Sequence, residues 1–350
     1  MREYRIAAIP GDGIGMEVIA AGLRVLDVLA GRDGGFKLQF EHYPWSSDYY
    51  KKNGHYIPDG GLDQLRKCDA IFFGAVGAPD VPDHVSLWGL RLPICQGFDQ
   101  YANVRPARVL PGITSPLREG QDIDWVVIRE NTEGEYSGNG GRAHRGLPDE
   151  VATETSVFTR SGVTRIHRFA FELARKRPRK HLTLVTKSNA QRHGMVLWDE
   201  IFYEVARHYP EVETQRILVD AVTTNMVLKP WTLDTLVASN LQADILSDLA
   251  AALTGSLGIA PTANLNPERN FPSMFEPIHG SAFDITGKGI ANPVATFWTA
   301  SLMLEHLGEQ EASVRLMKAV ETVTARKVLT PDLGGEATTA VVTDAVCDAL

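Results

Sequence analysis

The chain has 350 residues, of which 44% are hydrophobic and 22% charged, so it is long enough for two domains and has a globular composition rather than a disordered or fibrous one. Its formal net charge of -8 argues against a nucleic acid or an anionic membrane surface as the partner. If the substrate is an anion, a local cluster of arginines or a metal ion must therefore receive it.

Cysteine usage and the first residues indicate the compartment. Cys68, Cys95 and Cys347 have no metal-type spacing, and so sparse a set is typical of a reducing environment. Residues 1–10 have the pattern of a short strand rather than of a signal peptide. No apolar run approaches the roughly 20 residues that a membrane span needs. We therefore expect a cytoplasmic protein.

Strands and helices are predicted to alternate along the chain. Short, continuous apolar runs predict buried strands over residues 5–9, 69–77, 125–129, 182–186 and 234–240. Helical spacing of apolar residues predicts helices over residues 17–30, 162–175 and 243–253, and over much of the chain after residue 291. This alternation predicts an α/β fold.

Residues 133–159 interrupt the alternation. They are rich in glycine and end in the strand-like residues 151–158, so they predict a long hairpin or arm rather than a helix. Because an exposed strand edge must be covered, such an arm is expected to pair with a second subunit.

The residues Gly11-Asp12-Gly13-Ile14-Gly15 follow the first predicted strand. They suggest a Rossmann loop, but G-x-G-x-x-G requires glycine at position 16, where this chain has methionine. The segment therefore predicts a tight strand-to-helix turn near a ligand cleft.

Three aspartates are candidate metal ligands. Asp244 and Asp248 are four residues apart, on one face of a predicted helix, where they would repel each other unless a cation such as Mg²⁺ or Mn²⁺ lay between them. Alternatively, Asp244 stabilises the helix N-terminus and Asp248 is solvated. Asp220 follows an apolar strand, where it is either a third metal ligand or a helix N-cap.

Four side chains are candidates for substrate binding and proton transfer. Arg105 and Arg129 end extended segments and could bind carboxylates bidentately, or form structural ion pairs with neighbouring glutamates. Lys187 follows a buried strand, where a partly desolvated lysine could act as a general base. Tyr136 is a candidate proton donor. Each of the last two could equally be an ordinary surface side chain.

Residues 276–292 contain several glycines and small residues that would let the backbone approach a ligand closely. Asp284 lies within them. A carboxylate there could accept hydrogen bonds from a ribose and would repel a 2′-phosphate, which favours NAD over NADP. The alternative is an ordinary surface loop.

These segments resemble the β-decarboxylating dehydrogenases, the family that contains isocitrate, 3-isopropylmalate, tartrate and D-malate dehydrogenases. The resemblance covers nearly the whole chain and rests on the motifs IPGDGIG, ANVRP, IRENTEGEYSG, TKSNAQR, ILSDL and EPIHGSAFDITGKGIANP. It implies a two-domain open α/β sheet of the isopropylmalate dehydrogenase type rather than a Rossmann fold. Residues 1–98 and 250–350 would form the larger domain with the nucleotide loop. Residues 99–249 would form the smaller domain, with a dimerisation arm at about 133–159 and the metal and catalytic residues.

The resemblance also implies roles for individual residues. Arg105 and Arg129 would hold the substrate carboxylates. The catalytic residues would be Tyr136, Lys187 and Asp220, and the metal ligands Asp220, Asp244 and Asp248, with Lys187 and Asp220 supplied by the partner in a homodimer. The NAD-binding residues would be Asn189, Asn225, Glu276, His279, Gly280, Ser281, Ala282, Asp284, Ile285 and Asn292. A monovalent cation such as K⁺ is a further expectation from the resemblance, although no motif indicates its site.

One segment departs from the family pattern. Cys95 stands where the isocitrate and isopropylmalate enzymes carry a third substrate arginine, and Arg91, one helical turn earlier, is expected to replace it in substrate binding. The loss argues against isocitrate, and residues 87–89 and 98–101 are most similar to those of tartrate and D-malate dehydrogenases. We therefore expect oxidation and β-decarboxylation of tartrate, D-malate or both, with NAD and Mg²⁺ or Mn²⁺.

Two alternatives remain open from the sequence. The first is a 3-isopropylmalate dehydrogenase, for which Leu87, Trp88 and Leu90 could line an apolar pocket. The second, more remote, is a non-catalytic regulatory subunit of the same fold. Such a subunit would be expected to lose the lysine, the tyrosine or the aspartates, and all of them are present.

Overall fold

The computed structural model describes residues 1–118 and 122–350. The chain folds into two compact units. The large unit contains Met1–Gln100, Arg108–Arg118 and Ala251–Leu350, and the small unit contains Tyr101–Ala107 and the described residues from 122 to Ala250. Residues 108–118 lie in the large unit, although the sequence analysis assigned them to the smaller domain.

The described residues form twelve strands and twelve α-helices. The strands are β1 (Arg2–Gly11), β2 (Phe36–His42), β3 (Ala70–Ala75), β4 (Ala102–Arg108), β5 (Asp124–Glu130), β6 (Gly134–Ala143), β7 (Val151–Val157), β8 (His181–Thr186), β9 (Glu213–Leu218), β10 (Thr235–Ala238), β11 (Pro261–Leu265) and β12 (Ser273–Pro277). The helices are α1 (Gly15–Asp33), α2 (Ser47–Asn53), α3 (Gly61–Leu65), α4 (Asp83–Ser86), α5 (Leu92–Gly97), α6 (Arg160–Ala174), α7 (Gly194–Ala206), α8 (Val219–Leu228), α9 (Asn240–Thr254), α10 (Val294–Leu307), α11 (Gln310–Ala325) and α12 (Thr339–Ala349). The predicted α/β alternation is confirmed.

The strands of the large unit are hydrogen-bonded in the order β2-β1-β3-β12-β11. β1 pairs in parallel with β2 and β3, and β3 pairs in parallel with β12, whereas β11 runs antiparallel to β12, so the carboxyl ends of β1, β3 and β12 lie at one edge. Ligands of open α/β sheets bind outside this edge. The turn after β1 and the residues after β12 therefore lie where a ligand is expected.

The turn between β1 and α1 is tight, as the sequence predicted. Gly13 has a φ of 56°, and a Cβ there would lie 1.9 Å from the carbonyl oxygen of Ser281. The next amide, of Ile14, donates to that same carbonyl at 2.8 Å. Glycine is therefore required at position 13 because the turn packs directly against the residues after β12.

The strands of the small unit are ordered β4-β5-β10-β8-β9. β8 and β9 are parallel neighbours in register, with Thr186 opposite Leu218. The residues that follow these two strands, Lys187 and Asp220, consequently emerge at the same edge.

A separate two-stranded antiparallel sheet, β6 with β7, forms the hairpin that the sequence predicted. All residues of β7 except Val157 are exposed. Its proposed role in pairing with a second subunit stays a prediction.

None of the helices in residues 1–118 and 122–350 combines the length and the apolar character needed to cross a membrane.

Helices α6 and α7 enclose a buried histidine. His167 is 0% exposed, its ring lies 4.4 Å from that of Trp198 and 5.3 Å from that of Phe202, and neither ring nitrogen has a hydrogen-bond partner among the described residues. Burial lowers the pKa of His167 from 6.5 to about 3. The imidazole is therefore neutral in the folded protein over most of the acid range.

This depressed pKa predicts acid lability with a defined sign. Below pH 6.5 the unfolded chain binds a proton at His167 that the folded chain does not, so stability falls by about 1.4 kcal/mol per pH unit from this group, and about 3 kcal/mol is lost near pH 4. In chemical unfolding across this range, the free energy of unfolding of His167→Leu is expected to fall less with decreasing pH than that of the wild type. Parallel pH curves for the two proteins would contradict it.

Candidate active site

Two arginines of the small unit converge on one carboxylate. Arg129 on β5 and Arg105 on β4 are both buried. The Nη1 atom of each contacts the same oxygen, Oδ1 of Asp244 on α9, and the distance from Arg105 is 3.3 Å. The contacts of Arg129 are thus with the helix and not with Glu130, which instead accepts hydrogen bonds from the amides of Thr132 and Glu133. The pair forms a receptor that can hold a carboxylate group.

Tyr136 completes this cluster. Its hydroxyl donates to Oδ2 of Asp244 at 3.1 Å, and the guanidinium carbon of Arg129 lies 5.2 Å from its ring centre. Four residues that the sequence singled out separately, Arg105, Arg129, Tyr136 and Asp244, are therefore brought together.

Three further residues of this cluster were missed in the sequence. Asn103 accepts from Nε of Arg105 at 3.0 Å, and the hydroxyl of Ser247 accepts from its Nη1. Asn240 accepts from Nε of Arg129 at 2.8 Å. Asn103 lies two residues before Arg105 on a strand, and Ser247 lies three residues after Asp244 on a helix. Residues at these spacings share a face of a strand or a helix, so the spacing could have indicated both of them.

Asp244 and Asp248 lie one turn apart on α9, as their spacing predicted. Asp244 is in the second turn, so the alternative role at the helix N-terminus is not supported. Burial raises the pKa of Asp248, Arg105 lowers it and the charge of Asp244 raises it further. A divalent cation would offset both the burial and the repulsion, and two carboxylates are hard ligands suited to Mg²⁺ or Mn²⁺.

Lys187 and Asp220 form a second cluster in the small unit. The Lys187 ammonium group donates to Oδ1 of Asp220, which lowers the pKa of Asp220. Asp220 lies in the first turn of α8 rather than at its N-cap, which is Leu218. Its side chain is 64% exposed, so it is accessible to a ligand or to another chain.

Two predicted nucleotide contacts accompany this second cluster. Asn189 lies in the exposed turn after Lys187, and Asn225 lies within α8, five residues after Asp220.

Within residues 1–118 and 122–350, no three acidic, histidine or cysteine side chains lie close enough to hold a metal ion. A single chain therefore does not bring Asp220 to Asp244 and Asp248.

The residues between β12 and α10 form an irregular loop in the large unit, which we call the 278–293 loop. His279 contributes Nδ1 to a 2.7 Å contact with the carbonyl of Gly280, whereas its Nε2 and the Ser281 hydroxyl are buried with no hydrogen-bond partner among the described residues. Buried polar atoms without partners are costly, and a polar ligand would satisfy them. Burial lowers the pKa of His279, so its neutral ring can hydrogen-bond a ligand.

The remaining predicted nucleotide residues lie in or beside the same loop. Gly280 has a φ of 68° and open space where a Cβ would be, and Ala282 has the unusual φ of 40°. Asp284 is exposed, Ile285 packs against the buried cluster that contains Ile14, and Asn292 donates to Asp332 at 3.0 Å. The loop thus combines close backbone approach, unpartnered polar groups and an accessible carboxylate, which fits an adenosine ribose and its phosphates.

Arg91 and Glu276 form a largely buried ion pair in the large unit. Their side chains are 11% and 7% exposed, and Nη2 of Arg91 lies 2.7 Å from Oε1 of Glu276. The structure therefore gives Arg91 a carboxylate partner within its own unit, a contact that the expectation of a substrate arginine did not include.

Comparisons with known proteins identify the family of this chain. The family description "Isocitrate/isopropylmalate dehydrogenase" matches residues 5–350. The chain belongs to the isocitrate/isopropylmalate dehydrogenase family. The resemblance inferred from the motifs is confirmed.

Relatives within this family carry more specific names. The chain is 71% identical to a probable tartrate dehydrogenase/decarboxylase of Agrobacterium vitis, over 100% of this chain and 98% of that protein. It is 53% identical to the D-malate dehydrogenase [decarboxylating] of Escherichia coli, over 99% of this chain and 98% of that protein. The chain is therefore an enzyme of the decarboxylating dehydrogenase type.

A solved structure confirms the fold. Isocitrate dehydrogenase from Methylococcus capsulatus superposes with a TM-score of 0.89 and 36% identity, covering 99% of both chains. The fold of this family member is thus the open α/β type of the isocitrate and isopropylmalate dehydrogenases, as the failed G-x-G-x-x-G match indicated.

Proposed function

We propose that the protein oxidises and β-decarboxylates a small 2-hydroxy dicarboxylate, namely tartrate, D-malate or both, with NAD and a divalent metal ion. The observation that carries this proposal is the convergence of Arg105 and Arg129 on one carboxylate oxygen, with the Tyr136 hydroxyl on the other oxygen. The names of the relatives at 71% and 53% identity support the choice of substrate.

The cofactors follow from the fit of the residues. Asp244 and Asp248 would hold Mg²⁺ or Mn²⁺ together with Asp220 of the partner subunit, and the 278–293 loop would hold the adenosine part of NAD. When bound, a divalent metal ion would polarise the C2 oxygen and NAD would supply the hydride acceptor for C2. A requirement for K⁺ stays an expectation from the family.

The chain's own residues would do the positioning. Asp244 balances one of the two positive charges of Arg105 and Arg129. A substrate carboxylate would take the place of that contact, because guanidinium groups bind carboxylates of either origin. Two buried arginines fixed by Asn103, Asn240 and Ser247 hold the substrate in one orientation, which converts binding energy into rate.

Two residues would move the protons. The partner subunit's Lys187, in its neutral amine form, would accept the C2 hydroxyl proton as C2 is oxidised, leaving a 2-keto acid with a carboxylate on C3. The bond between C3 and that carboxylate breaks, CO₂ leaves, and the electron pair forms an enolate. Tyr136 then donates its hydroxyl proton to C3.

We further propose that the enzyme is a homodimer with shared active sites. Exposed apolar side chains accompany both clusters: Leu241 and Ile245 on α9 next to Asp244, and Val227 and Leu228 on α8 after Asp220. Pairing of two copies would cover these residues and bring Asp220 of one chain to the aspartates of the other. The sparse cysteines, all three buried and free, support a cytoplasmic location.

A substrate panel with metal control tests the proposal. NADH formation and CO₂ release are expected with D-malate or a tartrate in the presence of Mn²⁺, and thorough chelation is expected to remove at least about 99% of the rate, because the metal carries the developing charge. Restoration by added Mn²⁺ controls for damage by the chelator. Full activity in chelator without added metal would contradict the metal role.

The same panel separates the alternatives. A 3-isopropylmalate dehydrogenase needs an apolar pocket, but Leu90 is fully buried in the hydrophobic core, so Leu87 and Trp88 alone of the three predicted residues remain for it. Preference for 3-isopropylmalate over D-malate and tartrates would favour that alternative. No NADH formation on any hydroxy acid of the panel would contradict the proposed substrate class and cofactor.

A further inference from the structure

Arg91 lies at the end of a π-helical turn, Leu87–Arg91, that leads into α5. Its Nε and Nη2 atoms both contact Oε1 of Glu276, at 2.8 and 2.7 Å. Asn264 joins the pair from β11, donating to the same oxygen at 2.8 Å and accepting from Nη2 of Arg91 at 3.3 Å. The three side chains form one buried hydrogen-bonded group within the large unit.

The position one turn later is closed to a cation. Cys95 is 0% exposed and packs in the hydrophobic core with Ile94, Phe98 and Tyr56. Arg91 is the only positively charged residue between 87 and 97. The single positive charge of residues 87–97 is therefore paired with Glu276.

Burial of Glu276 makes this pair interdependent. A carboxylate removed from water is strongly destabilised when its partner is lost. Both donors of Arg91 meet one oxygen, so the guanidinium fixes the side-chain rotation of Glu276 as well as balancing its charge. Arg91 consequently contributes to a neutral pair, and not an isolated positive charge for a substrate carboxylate.

Glu276 lies at the carboxyl end of β12, three residues before His279. This is the edge of the sheet where ligands are expected, and the 278–293 loop with its unpartnered His279 and Ser281 groups begins directly after it. A change in the charge or side-chain rotation of Glu276 would therefore act first on that loop.

We propose that Arg91 is a positioning residue for the nucleotide: it acts through Glu276 on NAD binding rather than on the substrate. This inference rests on the proposed use of NAD at the 278–293 loop. Without Arg91, an uncompensated carboxylate would stand beside the anionic dinucleotide and would repel it.

The test compares affinity for NADH with the KM for substrate. Arg91→Met is expected to raise the Kd for NADH, measured by equilibrium fluorescence titration without substrate or metal, at least about tenfold, while the KM for D-malate changes less than about threefold. Arg91→Lys retains the charge and is expected to recover most of the NADH affinity. In a Glu276→Gln background, Arg91→Met is expected to add less than about a twofold loss, because the charge that Arg91 balances is gone.

Arg108→Met is the matched control, since Arg108 also pairs with a carboxylate, Glu321, in the large unit but far along the chain from the loop. It is expected to leave the Kd for NADH unchanged. A tenfold rise in the KM for D-malate with an unchanged Kd for NADH in Arg91→Met would overturn the inference and restore Arg91 as a substrate arginine. An equal loss in Arg91→Lys and Arg91→Met, or additive losses in the double variant, would also overturn it. Failure of the wild type to bind NADH would contradict the proposed function itself.

Discussion

Replacing Lys187 by methionine is expected to lower kcat for D-malate oxidation by about 10²–10⁴-fold, the usual contribution of a general base. The ammonium group contacts Asp220 at the carboxyl edge of β8 and β9, where the side chain is only 31% exposed and is held in one direction. Methionine is unbranched and only one atom shorter than lysine, and it removes the amine that accepts the proton. Single-turnover measurements of NADH formation, which separate chemistry from product release, are the appropriate readout.

The control is Lys176→Met, an exposed lysine of the same unit that lies after α6 and takes no part in the cluster. Its kcat is expected to equal that of the wild type. If Lys187→Met retained near-normal single-turnover rates, another residue would have to be the base. The pKa of Asp220 gives a second check. It is expected to rise in Lys187→Met, because this variant lacks the hydrogen bond that lowers it.

Two inactive variants are expected to restore each other's activity when they share a dimer. Lys187→Met leaves Arg105, Arg129 and Asp244 intact, whereas Asp244→Asn leaves Lys187 and Asp220 intact. If each site takes one cluster from each chain, a heterodimer of the two variants contains one wholly intact site and one doubly altered site. Its activity per dimer is therefore expected to be about half that of the wild type, from a background near zero.

The heterodimer is obtained by co-expressing the two variants with different affinity tags and purifying on both. Homodimers of each variant, purified in the same way, give the background rate. A heterodimer no more active than these homodimers would mean that each chain completes its own site, and a monomer in light scattering would contradict the proposed dimer directly. The expected difference is large because an intact site is either present or absent.

Local sequence was sufficient for the elements that carry the site. The continuous apolar runs predicted β3, β5, β8 and β10 because strands buried on both faces need no alternation. The spacing of Asp244 and Asp248 and the failed match at Met16 were also informative, since both depend only on helix periodicity or on a local turn. Strand β12 was not predicted because serine, glutamate and proline interrupt its apolar pattern.

Side-chain partnerships were not readable from local sequence. The expected role of Arg91 in substrate binding stays a prediction, but its contact with Glu276, 185 residues away along the chain, was not anticipated. Arg129 was expected either to bind substrate or to pair with a neighbouring glutamate, and it contacts Asp244 and Asn240, more than 100 residues away. Which charges face each other depends on strand order, and strand order is a long-range property.

By itself the sequence determined the α/β class, the turn at Gly13, the pairing of two aspartates on one helix face and, through its motifs, membership of the family. These features depend on the period of a helix or strand, on one backbone dihedral or on a short run of residues. Only the tertiary structure decided that Asp244 lies between two arginines and a tyrosine, that Asp220 lies with Lys187 instead, and that Arg91 is held by Glu276. Those contacts join residues far apart in the chain, and the free energy of a buried charge depends on the partner that the fold places beside it.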